Sequence, residues 1–180
     1  MDNFTFIDRP DNQRLKMMTD AYSAKDSTFD SVVSELFIDF QWTYRNMQKA
    51  YDAALDRHDL SESRFIILMF LKTAANHELL PSIISEKLGA TRATVSKLLK
   101  ALESKGWIVK HSSTTDKRAV PVRLTESGNA ILENFLPVNF EVVHSLFENL
   151  TREEIKQFSH LLDKIKEGTR KCTTKLEMEK

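Results

Sequence analysis

The chain has 180 residues, with 26 basic and 26 acidic side chains, and 41% of its residues are hydrophobic. That balance excludes a largely disordered chain, and no stretch approaches the roughly 18 consecutive apolar residues of a membrane span. A single cysteine, Cys172, excludes an internal disulfide framework, and with only four glycines and four prolines the loops must be few and short.

The opening segment MDNFTFIDRPDNQRLK is charged throughout and has no apolar h-region, so no signal peptide is expected and the protein is assigned to the cytoplasm. Residues 1–27 read as a polar arm, with a short helix near Leu15–Tyr22. From Thr28 to Arg57 apolar residues recur at three- and four-residue steps through Val33, Leu36, Phe37, Phe40, Tyr44, Met47 and Tyr51. That is one long helix of about 45 Å. Ser61 is placed to cap a second helix carrying Phe65, Leu68 and Leu71. Pro81 opens a short helix to Leu88, and Gly89 supplies the left-handed residue that stops it. Thr91 caps the next helix almost at once, with Val95, Leu98, Leu99 and Leu102 inward.

From Trp107 the period becomes strand-like. Residues 107–111 and 119–124 read as a hairpin around the polar tip 112–118. Pro121 cannot donate to a ladder, which predicts that its strand lies at a sheet edge. Thr125 caps a helix through Ile131, Leu132 and Phe135 that Pro137 should kink. Thr151-Arg152-Glu153-Glu154 is a capping box for a last helix carrying Ile155, Phe158, Leu161, Leu162 and Ile165.

The order is helix-turn-helix followed by a hairpin, with helices on both sides. Charge is concentrated in the middle. Between Lys87 and Arg123, nine basic side chains accompany two acidic ones, Glu103 and Asp116, a local charge of +7 within a neutral chain. Such a concentration suits an anionic partner. A helix-turn-helix offers its second helix to the DNA major groove. On that helix the inward positions leave Arg92, Ala93, Ser96, Lys97 and Lys100 outward, with Thr94 at the border of that face. Lys and Arg reach phosphates or guanine, Ser contacts several bases, and Ala packs on a thymine methyl. The hairpin tip adds Asp116, Lys117 and Arg118. Arg118 suits a narrow minor groove, and Asp116 is placed to hold its guanidinium.

Residues 88–128, LGATRATVSKLLKALESKGWIVKHSSTTDKRAVPVRLTESG, resemble the core of MarR-family winged-helix transcriptional regulators. The matching features are the Ser/Thr-rich start of the recognition helix, L-x-x-L-E-x-K-G at Leu99–Gly106, Asp116-Lys117-Arg118 in the wing, and R-L-T-E-x-G at Arg123–Gly128. The resemblance extends over about residues 28–170. It implies a mainly α fold with a small β-hairpin wing, a winged helix-turn-helix at 60–125, and an interlaced helical dimerisation region from 28–57 and 126–172. Residues 173–180 are left as a polar tail. It further implies a homodimer on double-stranded DNA, straddling a pseudo-palindromic operator, more often as a repressor than an activator. Contacts carry over to Arg92, Thr94, Ser96 and Lys97 on the helix and Arg118 on the wing. Lys97 and Lys110 stand where many relatives have arginine, which removes a bidentate fork. Pro121 and the arm also depart from the pattern.

Phe37, Phe40, Trp42 and Tyr44 read either as core or interface, or, through the resemblance, as the lining of a small-molecule effector site. The histidines at 58, 77, 111, 144 and 160 have no partners at metal-ligand spacing, so no metal is expected. No nucleotide or hydrolase motif is present, so neither a cofactor nor an enzyme is expected. Cys172 sits in a polar stretch, away from the start of the first long helix where peroxide-sensing relatives carry a cysteine. The rival reading is a winged helix used as a protein-interaction module without DNA. It requires apolar anchors on the outward face of residues 92–100.

Overall fold

Short caps and two left-handed glycines, Gly89 and Gly106, define most of the helix ends. The computed structural model describes residues 17, 20, 31–110 and 120–179. They divide between two compact units, 1–129 and 130–180.

The first unit opens with α1 (Ser31–Asp56), a 26-residue helix. Residues 28–30, where the sequence also predicts helix, lie outside the described residues, as does most of the arm. Leu55 and Leu60 are fully buried where α1 turns into α2 (Glu62–Thr73). The Ser61 hydroxyl accepts the Arg64 N–H, as its position predicts. A polar link ties the two helices further up. The Gln48 amide donates to Asp52 at 3.2 Å and to Glu62 at 3.1 Å. Tyr51, beside them, has its phenol pushed up by burial and then by the Glu62 and Asp52 charges.

After α2 the chain reverses through residues 75–77, with Asn76 and His77 at positive φ. It then forms a strand that the sequence pattern does not announce, β1 (Glu78–Leu79). α3 (Pro81–Leu88) and α4 (Arg92–Ser104) make the helix-turn-helix. Gly89 sits at φ 62°, ψ 28°, a conformation that costs L side chains energy even with open space around them. The Gly89 and Ala90 N–H groups close back on Glu86 and Ser85, and the Ser85 hydroxyl donates to the Ala90 carbonyl at 2.6 Å. Thr91 then caps α4 through the Thr94 N–H. Val95, Leu99 and Leu102 are buried, while Leu98 is only half-buried.

β2 (Ile108–Lys110) and β3 (Val122–Leu124) form the wing's base. The sheet order is β1-β3-β2, antiparallel throughout. β3 is therefore the central strand, not an edge. Pro121 is compatible with that because it precedes the first paired residue, Val122, and has no ladder bond to donate. β1 supplies the second neighbour, pairing Glu78 with Arg123 and Leu79 with Val122. Ile67, Leu68, Leu71, Ile84, Ile108 and Val122 form the centre of this unit.

α5 (Glu126–Phe147) begins in the first unit and runs through Pro137 as one helix into the second. There Leu132 and Phe135 are fully buried. α6 (Arg152–Met178) opens on the expected capping box. The Thr151 hydroxyl accepts the Glu154 N–H at 3.2 Å, and the Glu154 carboxylate accepts the Thr151 N–H at 2.8 Å. The Thr151 N–H, and after it the Thr151 hydroxyl, which also donates to the carboxylate, hold the Glu154 carboxyl below its ordinary range. The helix spans 27 residues and continues through most of the segment read as a polar tail. Not one of its residues is buried. Among the described residues no helix is long and apolar enough to cross a membrane.

Candidate nucleic-acid interface

The recognition helix α4 meets the core along Val95, Leu99 and Leu102, which turns the opposite side outward. Arg92, Ala93, Thr94, Ser96, Lys97 and Lys100 are all exposed, including Thr94 at the border of the face. The Thr94 hydroxyl is within 2.9 Å of the Thr91 hydroxyl, so it is oriented by the cap. The side chains of Arg92, Ser96, Lys97 and Lys100 make no hydrogen bond or ion pair with any described residue. Asp116, Lys117 and Arg118 lie outside the described residues, with the whole tip 111–119.

Structure separates basic residues that sequence counting treats alike. Arg123 donates from Nε and Nη2 to Glu78 Oε2 at 3.1 and 2.8 Å, bridging the paired positions of β1 and β3. Lys110 Nζ lies 2.5 Å from Glu103 Oε2. Lys105 Nζ lies 3.5 Å from Asp59 and 4.8 Å from the Trp107 ring centroid. Lys87 Nζ lies 5.6 Å from the Phe70 ring centroid. Asp59 and Glu78 stand outside the basic segment, so no count within residues 87–123 finds them. Arg92, Lys97 and Lys100 are the cations of that segment that the described residues leave without a partner.

Local structure also explains the Arg123–Gly128 motif. The Thr125 N–H donates to the Trp107 carbonyl at 3.1 Å. The Thr125 hydroxyl donates to the Gly106 carbonyl at 2.7 Å and accepts the Gly128 N–H at 3.0 Å. Position 128 must be glycine, because a Cβ there would lie 2.1 Å from the Trp107 carbonyl oxygen. The motif is a joint between the wing's base and α5.

Among the described residues, Phe37, Phe40, Trp42 and Tyr44 of α1 are not buried in a core. Phe37, Phe40 and Tyr44 are 58%, 40% and 50% exposed, and Trp42 is half-buried. Cys172 is free and exposed on α6.

Comparison with known proteins agrees with this arrangement. Residues 58–119 match the sequence profile described as the MarR family. The chain is 32% identical over 136 residues to the HTH-type transcriptional repressor YetL of Bacillus subtilis, covering 76% of this chain and 81% of that protein. In structure it is similar to the MarR protein of Escherichia coli, a cysteine-substituted form complexed with operator DNA, at TM-score 0.63 and 26% identity, over 74% of this chain and 94% of that one. It also matches the fold of Sco3205, a MarR family transcriptional regulator from Streptomyces coelicolor, at TM-score 0.69 and 20% identity, over 78% and 89% of the two chains. These relatives are transcriptional regulators, not enzymes. The chain belongs to the MarR family of transcriptional regulators.

Proposed function

We propose that this chain is a homodimeric, sequence-specific DNA-binding repressor that grips a pseudo-palindromic operator and is released by a small-molecule effector. The observation that carries the reading is the outward face of α4. It presents Arg92, Lys97 and Lys100 without partners among the described residues, beside the small contacts Ala93, Thr94 and Ser96. Those residues read the major groove and its phosphates, and of the wing residues Asp116, Lys117 and Arg118 it is Arg118 that we assign to the flanking minor groove. Phosphate contacts supply most of the affinity. A protein-interaction module would need apolar anchors on this face, and the side chains there are charged, polar or small.

Dimerisation through residues 28–57 and 126–172 is supported by apolar surface that stands exposed among the described residues. On α1, Val32, Val33, Leu36 and Phe37 are each more than half exposed, and on α6 so are Leu161 and Ile165. A soluble chain carries stripes of this kind to cover them with a partner. The relative YetL bears the name repressor, and the Escherichia coli MarR structure holds operator DNA. An effector acts by favouring a dimer whose recognition helices no longer match the operator. Phe37, Phe40, Trp42 and Tyr44 are the residues we assign to its site. We assign a DNA-binding regulator of this kind to the cytoplasm.

The test is a fluorescence-anisotropy titration against duplexes flanking its own gene, at several salt concentrations, with random-sequence duplex as control. One fragment should bind at two protomers per site and about 10³-fold or more tighter than the control. Equal binding to every fragment overturns sequence specificity. No binding at low salt overturns DNA as the partner and leaves the protein-interaction module.

A further inference from the structure

The outward face of α4 has a methyl group at its centre. Val95, Leu99 and Leu102 are buried, and at about 100° per residue Ala93 and Lys97 lie farthest round the helix from them. Both are exposed, and Lys97 stands one turn beyond Ala93, so the two side chains are neighbours on one face. Ala93 is the one apolar member of the outward set, and its side chain offers neither donor nor acceptor. Lys97 offers donors only, and no described residue takes them. The hydroxyls at the start of the helix are engaged in its cap. Thr91 accepts the Thr94 N–H, and the Thr91 and Thr94 hydroxyls lie 2.9 Å apart. Ser96 stands nearer the edge of the face.

We propose that Ala93 and Lys97 together select a thymine in each half-site, an inference that rests on the operator reading above. In the major groove thymine presents its C5 methyl beside the O4 acceptor, and no other unmodified base sets an apolar group next to an acceptor. A side chain as short as alanine meets a base edge only where the helix backbone comes close enough to exclude water. Under Ala93 a polar edge therefore loses its water with nothing in return. A thymine methyl leaves water at a gain. Lys97, one turn on, donates to O4. Cytosine carries its N4 amino group in place of O4, so its donors would face the donors of Lys97. Ala93 thus rejects bases by what it cannot bond, and Lys97 separates the two pyrimidines.

The probe is the duplex that the wild-type protein enriches from a random library, with each thymine in turn replaced in both half-sites by deoxyuridine, which removes the methyl alone. At one symmetric position the wild type should lose about fourfold in affinity per half-site, the worth of one buried methyl. There, 5-methylcytosine and cytosine, each paired with guanine, should bind at least about tenfold more weakly than thymine. Cytosine should be the weaker of the two by about the same fourfold. Ala93→Gly should no longer distinguish thymine from deoxyuridine while still rejecting 5-methylcytosine. Lys97→Met should do the reverse, a double dissociation that a general loss of stability does not produce. Circular dichroism shows which variants are folded, and the four-base comparison on the wild type decides even where one is not. A wild type indifferent to deoxyuridine at every thymine overturns this inference alone, as does an enriched duplex without thymine. So does a folded Ala93→Gly protein that keeps the full preference, or a folded Lys97→Met protein that still rejects 5-methylcytosine. A wild-type protein that enriches no sequence overturns the operator reading and this inference with it.

Discussion

Lys100 and Lys110 are both exposed lysines in the basic segment, and the structure predicts opposite consequences for their removal. Lys100 has no partner among the described residues, whereas Lys110 Nζ lies 2.5 Å from the Glu103 carboxylate. A free ammonium that meets a phosphate displaces a condensed counterion, and each such contact adds about 0.9 to the slope of log K against log salt. Lys100→Ala, counted in both protomers, should therefore flatten that slope by about 1.8. Between 50 and 200 mM salt the variant should lose about tenfold less affinity than wild type. Lys110→Ala removes a charge that Glu103 already compensates, so the slope should change by well under one unit. The measurement is anisotropy on one duplex at four or more salt concentrations. Equal slope changes in the two variants would mean that only net charge matters. That would refute the assignment of the α4 face as the surface that meets the phosphates.

Four further outcomes follow from the geometry. Gly128→Ala drives a methyl against the backbone oxygen of Trp107. It should cost about 3 kcal/mol, at the upper end for overpacking, and lower Tm by about 6–12 °C at fixed protein concentration. An unchanged calorimetric Tm would refute the contact. Gly168, in the interior of exposed α6, has open space where a Cβ would stand; Gly168→Ala should stabilise the helix by about 0.5–1 kcal/mol in urea unfolding, and destabilisation would show that another backbone closes on that point. The Glu154 carboxyl is lowered by its bond from the Thr151 N–H, then by the Thr151 hydroxyl. Its contribution is present above the carboxyl's ordinary value and lost as pH falls through the lowered one. Glu154→Gln should accordingly show a shallower acid loss of helicity by circular dichroism than wild type. Phe158→Asp with Ile165→Asp places charge on the exposed stripe of α6 and should yield monomers in sedimentation equilibrium; a persistent dimer would remove that stripe from the interface.

Features that depend on local chemistry were legible in the residues. Ser61, Thr91 and Thr151 cap helices where their types and spacing predict, and Gly89 takes the left-handed turn between α3 and α4. The outward set on α4 was equally legible, because Val95, Leu99 and Leu102 fix a helical face by period alone. What escaped depends on pairing across the chain. β1 has only two residues, too few to show a period, and it exists because Glu78 and Leu79 meet Arg123 and Val122 from far along the sequence. Its presence makes β3 central and overturns the edge position inferred from Pro121.

The electrostatic reading shows the same division. Counting residues places +7 in one segment, but a charge is available to DNA only if no carboxylate has already taken it. Asp59 reaches Lys105 and Glu78 reaches Arg123 from outside that segment, while Glu103 holds Lys110 from within it. Among the described residues, the cations of the segment that no carboxylate pairs are Arg92, Lys97 and Lys100 on the α4 face, and Lys87, which lies over the Phe70 ring. Among those residues, pairing leaves three of the four unpaired cations on the element that a helix-turn-helix presents to the groove. Arg123 shows what the paired cations do instead. Its two bonds to Glu78 join β1 to β3, whose C-terminal end leads into Thr125 and the joint with α5. Among the described cations of the segment, Lys105, Lys110 and Arg123 are engaged in ion pairs within the fold. Those without partners on α4 are the ones we propose meet the duplex.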